Sequence, residues 1–168
     1  MSLRTVAELM ALAARTAPKA SGRDFIVTAV VEGDDLKRLG EEMIADGERT
    51  SRPNRGRDGR NVLNSEIMVL IGLQDSDVLG LDCGACGNEV CIEPNTHDGE
   101  FGGPNCALRL LDMGIAIGSA VKIASMMNAD NRIMYNAGVV ARRLGLTEAD
   151  FVMGIPLAAT GKSIYFDR

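Results

Sequence analysis

Tryptophan is absent from the 168 residues, and the aromatic residues together supply only 4%. A chain so poor in rings has little on which bases could stack, which argues against nucleic acid as a partner. Basic charge is also short. Eighteen lysines and arginines face 23 aspartates and glutamates, for a net charge of −5 and a pI near 4.9. Such a surface favours neither phosphate backbones nor anionic membranes. No apolar run approaches the roughly 20 residues of a membrane helix, because lysine and aspartate interrupt every candidate. No internal repeat is visible. Histidine occurs once, as His97, so no Ser–His–Asp hydrolytic arrangement is available outside the stretch that also holds the cysteines.

What is present describes a soluble globular protein: 46% hydrophobic and 24% charged residues, enough for one domain over residues 1–168 with a core of its own. The early run from Val6 to Ala14 is short and contains Glu8, unlike a signal peptide. Val6, Leu9, Met10 and Ala13 instead fall on one helical face, and Thr5 with Glu8 has the spacing of a capping box. A cytoplasmic location is expected, and with it reduced thiols.

Along the chain, a helix from Thr5 to about Thr16 leads to a strand at Phe25–Val31. A second helix, capped by Asp34 or Asp35, turns Leu36, Leu39, Met43 and Ile44 inward. Residues 49–60, with five arginines, two glycines and a proline, read as a loop; it could face an acidic partner or grip a phosphate. Residues 67–73 (IMVLIGL) form a strong strand. Residues 106–123 are apolar on most sides, as in a central helix, with Gly114 and Gly118 placed to let a neighbouring backbone approach. A further helix includes Ile133, Ala137 and Leu144 and stops at Gly145. Phe151–Ile155 is a strand, and Ser163–Phe166 a short fourth. The order describes an α/β (α+β) layered sheet with packed helices. A Cys-rich segment, residues 80–107, is inserted between the second strand and the central helix. Gly161-Lys162-Ser163 does not read as a phosphate loop, since six residues rather than four separate it from the preceding Gly154, and Gly114 to Gly118 is no dinucleotide fingerprint, since it sits mid-helix. Adjacent Glu41 and Glu42 point to different sides of a helix and make no acid–base pair.

All four cysteines lie in one 24-residue window as C-x2-C-x4-C-x14-C: Cys83, Cys86, Cys91 and Cys106. Three accounts compete. A [4Fe–4S] cluster takes four thiolates around an object larger than one ion, which suits three close ligands and a distant fourth. Gly84, Gly87, Gly102 and Gly103 let backbone amides approach sulfur. Structural zinc also takes four thiolates, but zinc ribbons present two C-x2-C knuckles where this chain has one; His97 could substitute as a ligand but reads as an exposed loop residue. Free or disulfide-bonded cysteines would not cluster so tightly. The spacing favours the iron–sulfur account.

The run Cys83-Gly84-Ala85-Cys86-Gly87-Asn88-Glu89-Val90-Cys91, with a later Cys106, resembles the four-iron domain of corrinoid iron–sulfur proteins and Rnf-type electron-transport subunits. The whole chain, including its ending GIPLAATGKSIYFDR, is similar to an uncharacterised prokaryotic family containing a ferredoxin domain. The resemblance implies cluster binding by Cys83, Cys86, Cys91 and Cys106 and electron transfer with a protein redox partner; it names no substrate and leaves open whether the chain is itself an oxidoreductase. The stretch AARTAPKASG at residues 13–22, followed by a strand and then Asp35-Leu36-Lys37-Arg38-Leu39, resembles the opening of nitroreductase-like flavoproteins, which are FMN-binding homodimers. That likeness implies a second reading: a dimeric FMN- and cluster-dependent reductase. Against it, the basic cluster that grips the FMN phosphate in those proteins is reduced here to Arg4. Arg52, Arg55, Arg57 or Arg60 are the candidates to replace it. A zinc-stabilised binding module is the third reading.

Overall fold

The computed structural model describes residues 2–166. In chain order the elements are α1 (Leu3–Thr16), β1 (Ile26–Glu32), α2 (Gly33–Arg49), α3 (Pro53–Leu63), β2 (Ile67–Leu73), β3 (His97–Asp98), β4 (Gly102–Gly103), α4 (Ala107–Met126), β5 (Asp130–Asn131), α5 (Tyr135–Arg143) and β6 (Phe151–Ala158). The main sheet has the order β1-β2-β6-β5, every neighbouring pair antiparallel. No helix among the described residues is long and apolar enough to cross a membrane.

β2 is the axis of the fold because all seven of its residues are buried. Side chains alternate across a strand. Ile67, Val69, Ile71 and Leu73 therefore enter the core shared with α1 and α4, while Met68 and Leu70 enter the core shared with α2 and α5. The result is three layers, two helices on one face and three on the other. Close approach decides one contact here. A Cβ on Gly138 of α5 would lie 1.9 Å from the Val152 carbonyl oxygen of β6, so only glycine lets that helix lie so close to the strand.

The layered α/β architecture read from the sequence is the one found, with local corrections. α1 starts two residues early, capped by Ser2, whose Oγ accepts from the Thr5 amide at 3.4 Å; Glu8 takes Arg4 instead of closing a capping box. No side chain caps α2, which starts at Gly33. Residues 49–60 are not a loop. α2 runs on to Arg49 and α3 begins at Pro53, where proline's fixed φ suits the first helical turn. The two helices touch through glycine: a Cβ on Gly47 would lie 2.6 Å from the Gly56 amide nitrogen. α3 is buried through glycine and paired charge, so hydrophobic periodicity does not mark it. Gly114 and Gly118 meet nothing within 4 Å; they lie on the exposed side of α4, not under a neighbouring backbone. Ser163–Phe166 joins no strand. Tyr165 is buried instead, its hydroxyl 2.9 Å from Ser65 Oγ, and the fourth strand of the sheet is β5.

Candidate metal centre

The chain between β2 and α4 carries all four cysteines, seven carboxylates and no lysine or arginine. Its first part lacks helix or strand and is mostly exposed. Cys83 and Cys86 are exposed, Cys91 is partly buried, and Cys106 is buried at the N-terminus of α4. The exposed His97 sits in β3, opposite Gly103.

Each of three sulfurs has amide nitrogens beside it. Burial would raise the Cys106 thiol, yet the backbone amides of Leu79, Arg109 and Leu108, with the Arg109 charge, hold it below its ordinary value. Its sulfur makes no close capping bond to α4; the amides act through their aligned partial charge. The Asn88 side chain, 3.6 Å from Cys86 Sγ, together with backbone amides, lowers that thiol as well. The Asp82 amide lies 3.4 Å from Cys91 Sγ, while the Cys91 amide returns a 2.7 Å bond to Asp82 Oδ1. Gly84 and Gly87 sit at φ of 71° and 87°, a left-handed conformation that glycine adopts without strain.

Among the described residues, no group of three cysteine, histidine or carboxylate side chains stands close enough to hold a metal ion. The fold brings the start of the segment to Cys106, through Leu79, but does not gather the other three thiols around it. The donor set nonetheless fits a soft metal centre: four thiols, amides turned toward sulfur, and glycines at the turns. Cys83 is four residues beyond Leu79, so its Cα lies within about 14 Å of that anchor. Residues 80–94, which carry three of the four thiols, bear none of the core.

Two buried arginines, neither singled out as structural by the sequence, hold the ends of the segment. Arg109 is fully buried. It donates to Asp77 Oδ1 at 2.9 Å, Asp112 Oδ2 at 3.1 Å and the Ala20 carbonyl at 3.0 Å, with its guanidinium 4.8 Å from the centre of the Phe25 ring. Arg55 of α3, 1% exposed, pairs with Asp46 and, at 2.8 Å, with Glu100. Glu100 also takes Arg52 and the Tyr135 hydroxyl. Tyr135, Arg55 and Arg52 together lower its carboxyl to about 2 against the opposing effect of burial. An arginine inside the apolar run ALRLLDM was the one signal in the sequence that could have exposed Arg109.

Three of the four candidate arginines face carboxylates. Arg52 and Arg55 bind Glu100, and Arg57 binds Asp58; Arg60 lines a groove between α2 and α3. At the start of the chain Arg4 pairs with Glu8 and Glu32, Arg15 with Asp24, and Arg23 with Asp77.

Comparison with known proteins adds family and fold. Residues 102–168 match the family described as "Uncharacterized protein containing a ferredoxin domain" (DUF2148); Cys106 lies in that span and the other three cysteines precede it. An uncharacterized protein of Archaeoglobus fulgidus is 45% identical over 172 residues, covering 99% of this chain and 91% of the relative. Among solved structures, nitroreductase CinD from Lactococcus lactis in complex with chloramphenicol aligns with a TM-score of 0.64 at 14% identity, over 99% of this chain and 85% of that one. A nitroreductase with bound FMN from Desulfitobacterium hafniense aligns at 0.61 and 16%, over 97% and 81%. The FMN-dependent nitroreductase NfnB from Mycobacterium smegmatis, in complex with NADPH, aligns at 0.62 and 12%, over 94% and 78%. At such identities the likeness shows the fold alone. The chain thus belongs to the family of uncharacterised proteins containing a ferredoxin domain, carried on a nitroreductase-like fold.

Proposed function

We propose that this protein is a cytoplasmic iron–sulfur protein that holds one [4Fe–4S] cluster through Cys83, Cys86, Cys91 and Cys106 and exchanges single electrons with a protein redox partner. Residues 80–107 are the cluster-binding segment. The observation that carries the reading is the sulfur environment: four thiols in one segment, with amides turned toward the sulfurs of Cys86, Cys91 and Cys106. Such a cluster, when bound, supplies one reversible electron. The chain's own residues do the rest. Buried Cys106 provides a fixed ligand at the end of α4, and the Leu79, Leu108 and Arg109 amides favour its thiolate. Exposed Cys83 and Cys86 keep the other side of the site at the surface, where a partner can approach.

Anaerobic reconstitution tests this directly. The expected product has broad visible absorbance and about four irons and four sulfides per chain. A colourless protein with one zinc overturns the redox reading in favour of a zinc-stabilised module.

The second reading, an FMN- and cluster-dependent reductase, draws support from the shared fold with FMN-bound nitroreductases. At the start of α1 the basic side chain is Arg4, which pairs with Glu8 and Glu32, so on this reading the flavin phosphate needs a further cation. Flavin fluorescence released on denaturing FMN-saturated protein is its test. The homodimer implied by the same resemblance is part of the proposal. α4 leaves Leu111 and Ile115 exposed beside Gly114 and Gly118, and light scattering at twice the chain mass is the expected result.

A further inference from the structure

The segment between β2 and α4 is held to the scaffold in one part and untethered in another. Over residues 80–94 every hydrogen bond described stays inside the stretch: Asp82 with Cys91, Gly87 with Gly84, and Asn88 with Cys86. Residues 95–105 differ. The Gly102 amide donates to the Asp150 carbonyl at 2.8 Å, and Asn95 Nδ2 to Asp150 Oδ2 at 3.3 Å. Phe101 packs against Tyr135 and Phe151, with ring centres 5.2 and 4.3 Å apart.

At the centre of this anchored half stands Glu100. Arg55 reaches it while also gripping Asp46 of α2 and donating from Nε to Asn136 Oδ1 of α5 at 3.3 Å. One planar guanidinium therefore joins two helices of the opposite layer to the chain six residues before Cys106. A lysine, a single point charge, could not serve three partners in three directions.

We propose that Arg55 is a positioning residue for the cysteine segment: through Glu100 it fixes the chain between Cys91 and Cys106 in advance, so that loading rearranges residues 80–94 alone. This explains why an arginine-rich α3 lies far from the cysteines in sequence yet touches their segment. The inference rests on the cluster reading above.

The test uses the full chain, loaded anaerobically, in three forms: wild type, Arg55→Lys and Glu100→Gln. Each is exposed to a ferrous-iron chelator and followed by the loss of visible absorbance. Amide hydrogen exchange is measured on the metal-free protein. Both variants should release iron faster than wild type, by up to about the 10-fold that loss of a group bonded to a metal ligand costs, since neither residue touches a cysteine itself. Exchange should rise across residues 95–105 and stay unchanged in β2 and α4. Glu100 is partly exposed, so Glu100→Gln should fold even where Arg55→Lys does not. Iron release from Glu100→Gln at the wild-type rate overturns the proposal, as does exchange that rises equally through the sheet. Wild-type chain that takes up no iron overturns the underlying cluster reading as well, and the two failures are thereby told apart.

Discussion

Replacing Asp46 by asparagine tests whether charge, rather than apolar contact, holds the arginine-rich half of the fold together. The Asp46 side chain has no exposed surface and lies among Arg49 at 2.7 Å, Arg143 at 2.9 Å and Arg55. Burial alone would raise its carboxyl; bonds from Arg143 and Arg55 hold it well below the usual carboxylate range. Asparagine keeps the shape and removes the charge. Breaking a buried pair by removing one partner costs about 3–5 kcal/mol, because the remaining charge is stranded. Here Arg55 keeps Glu100, while Arg49 and Arg143 are about half exposed and keep Glu42. The low end, about 3 kcal/mol, is therefore expected. For a chain of this size that is a fall of about 6–12 °C in Tm, read by calorimetry on the metal-free protein. A double-mutant cycle with Arg55→Met should return a coupling of about 2 kcal/mol. Since a buried pair is poorly screened, added salt should change the result little. A loss below about 1 kcal/mol, the worth of an exposed pair, would refute the view that α2 and α3 are joined by buried charge.

Three further outcomes follow from the same structure. Cys91→Ala should abolish iron retention while leaving the Tm of the metal-free chain unchanged, because Cys91 lies outside both cores; Cys91→Ser should retain a weakened centre, read by iron analysis. Gly138→Ala drives a methyl into the Val152 carbonyl and should cost at least about 3 kcal/mol, the upper range of overpacking, measured by urea unfolding. Glu100 has a folded pKa of about 2 against 4.5 unperturbed, so its stabilisation is complete above the unfolded value and is lost as pH falls from about 4.5 through 2; discounted for partial exposure, it amounts to about 1–2 kcal/mol. Glu100→Gln should flatten the acid limb of the stability curve in that window and leave its slope above pH 6 unchanged.

How far the sequence discloses this molecule depends on what buries each element. β1, β2, β6 and α4 are buried by apolar side chains, so runs such as IMVLIGL and a nearly all-round apolar helix announce them. α3 is buried by glycine contacts with α2 and by Arg55 paired to Asp46 and Glu100. In sequence that combination is indistinguishable from a solvated loop, since the carboxylates that neutralise its arginines lie on other elements. β5, at two residues, is too short to leave a period at all. The metal centre divides on the same line. The spacing of the four cysteines was plain, because ligand chemistry constrains residue type and separation. Where the sulfurs stand was not, because residues 80–94 have no core to shape them.

That division also explains why the anchors are arginines. A segment with seven carboxylates and no cation of its own cannot settle on the scaffold through internal pairs. It needs positive charge from outside. Arg109 meets Asp77 at its beginning and Arg55 meets Glu100 near its end, each with a second carboxylate beside it in the scaffold, Asp112 and Asp46. Were apolar contacts the anchor, truncating Phe101 would free the segment and Glu100→Gln would not. With charge as the anchor, the order is reversed, and hydrogen exchange over residues 95–105 in the two variants decides between them.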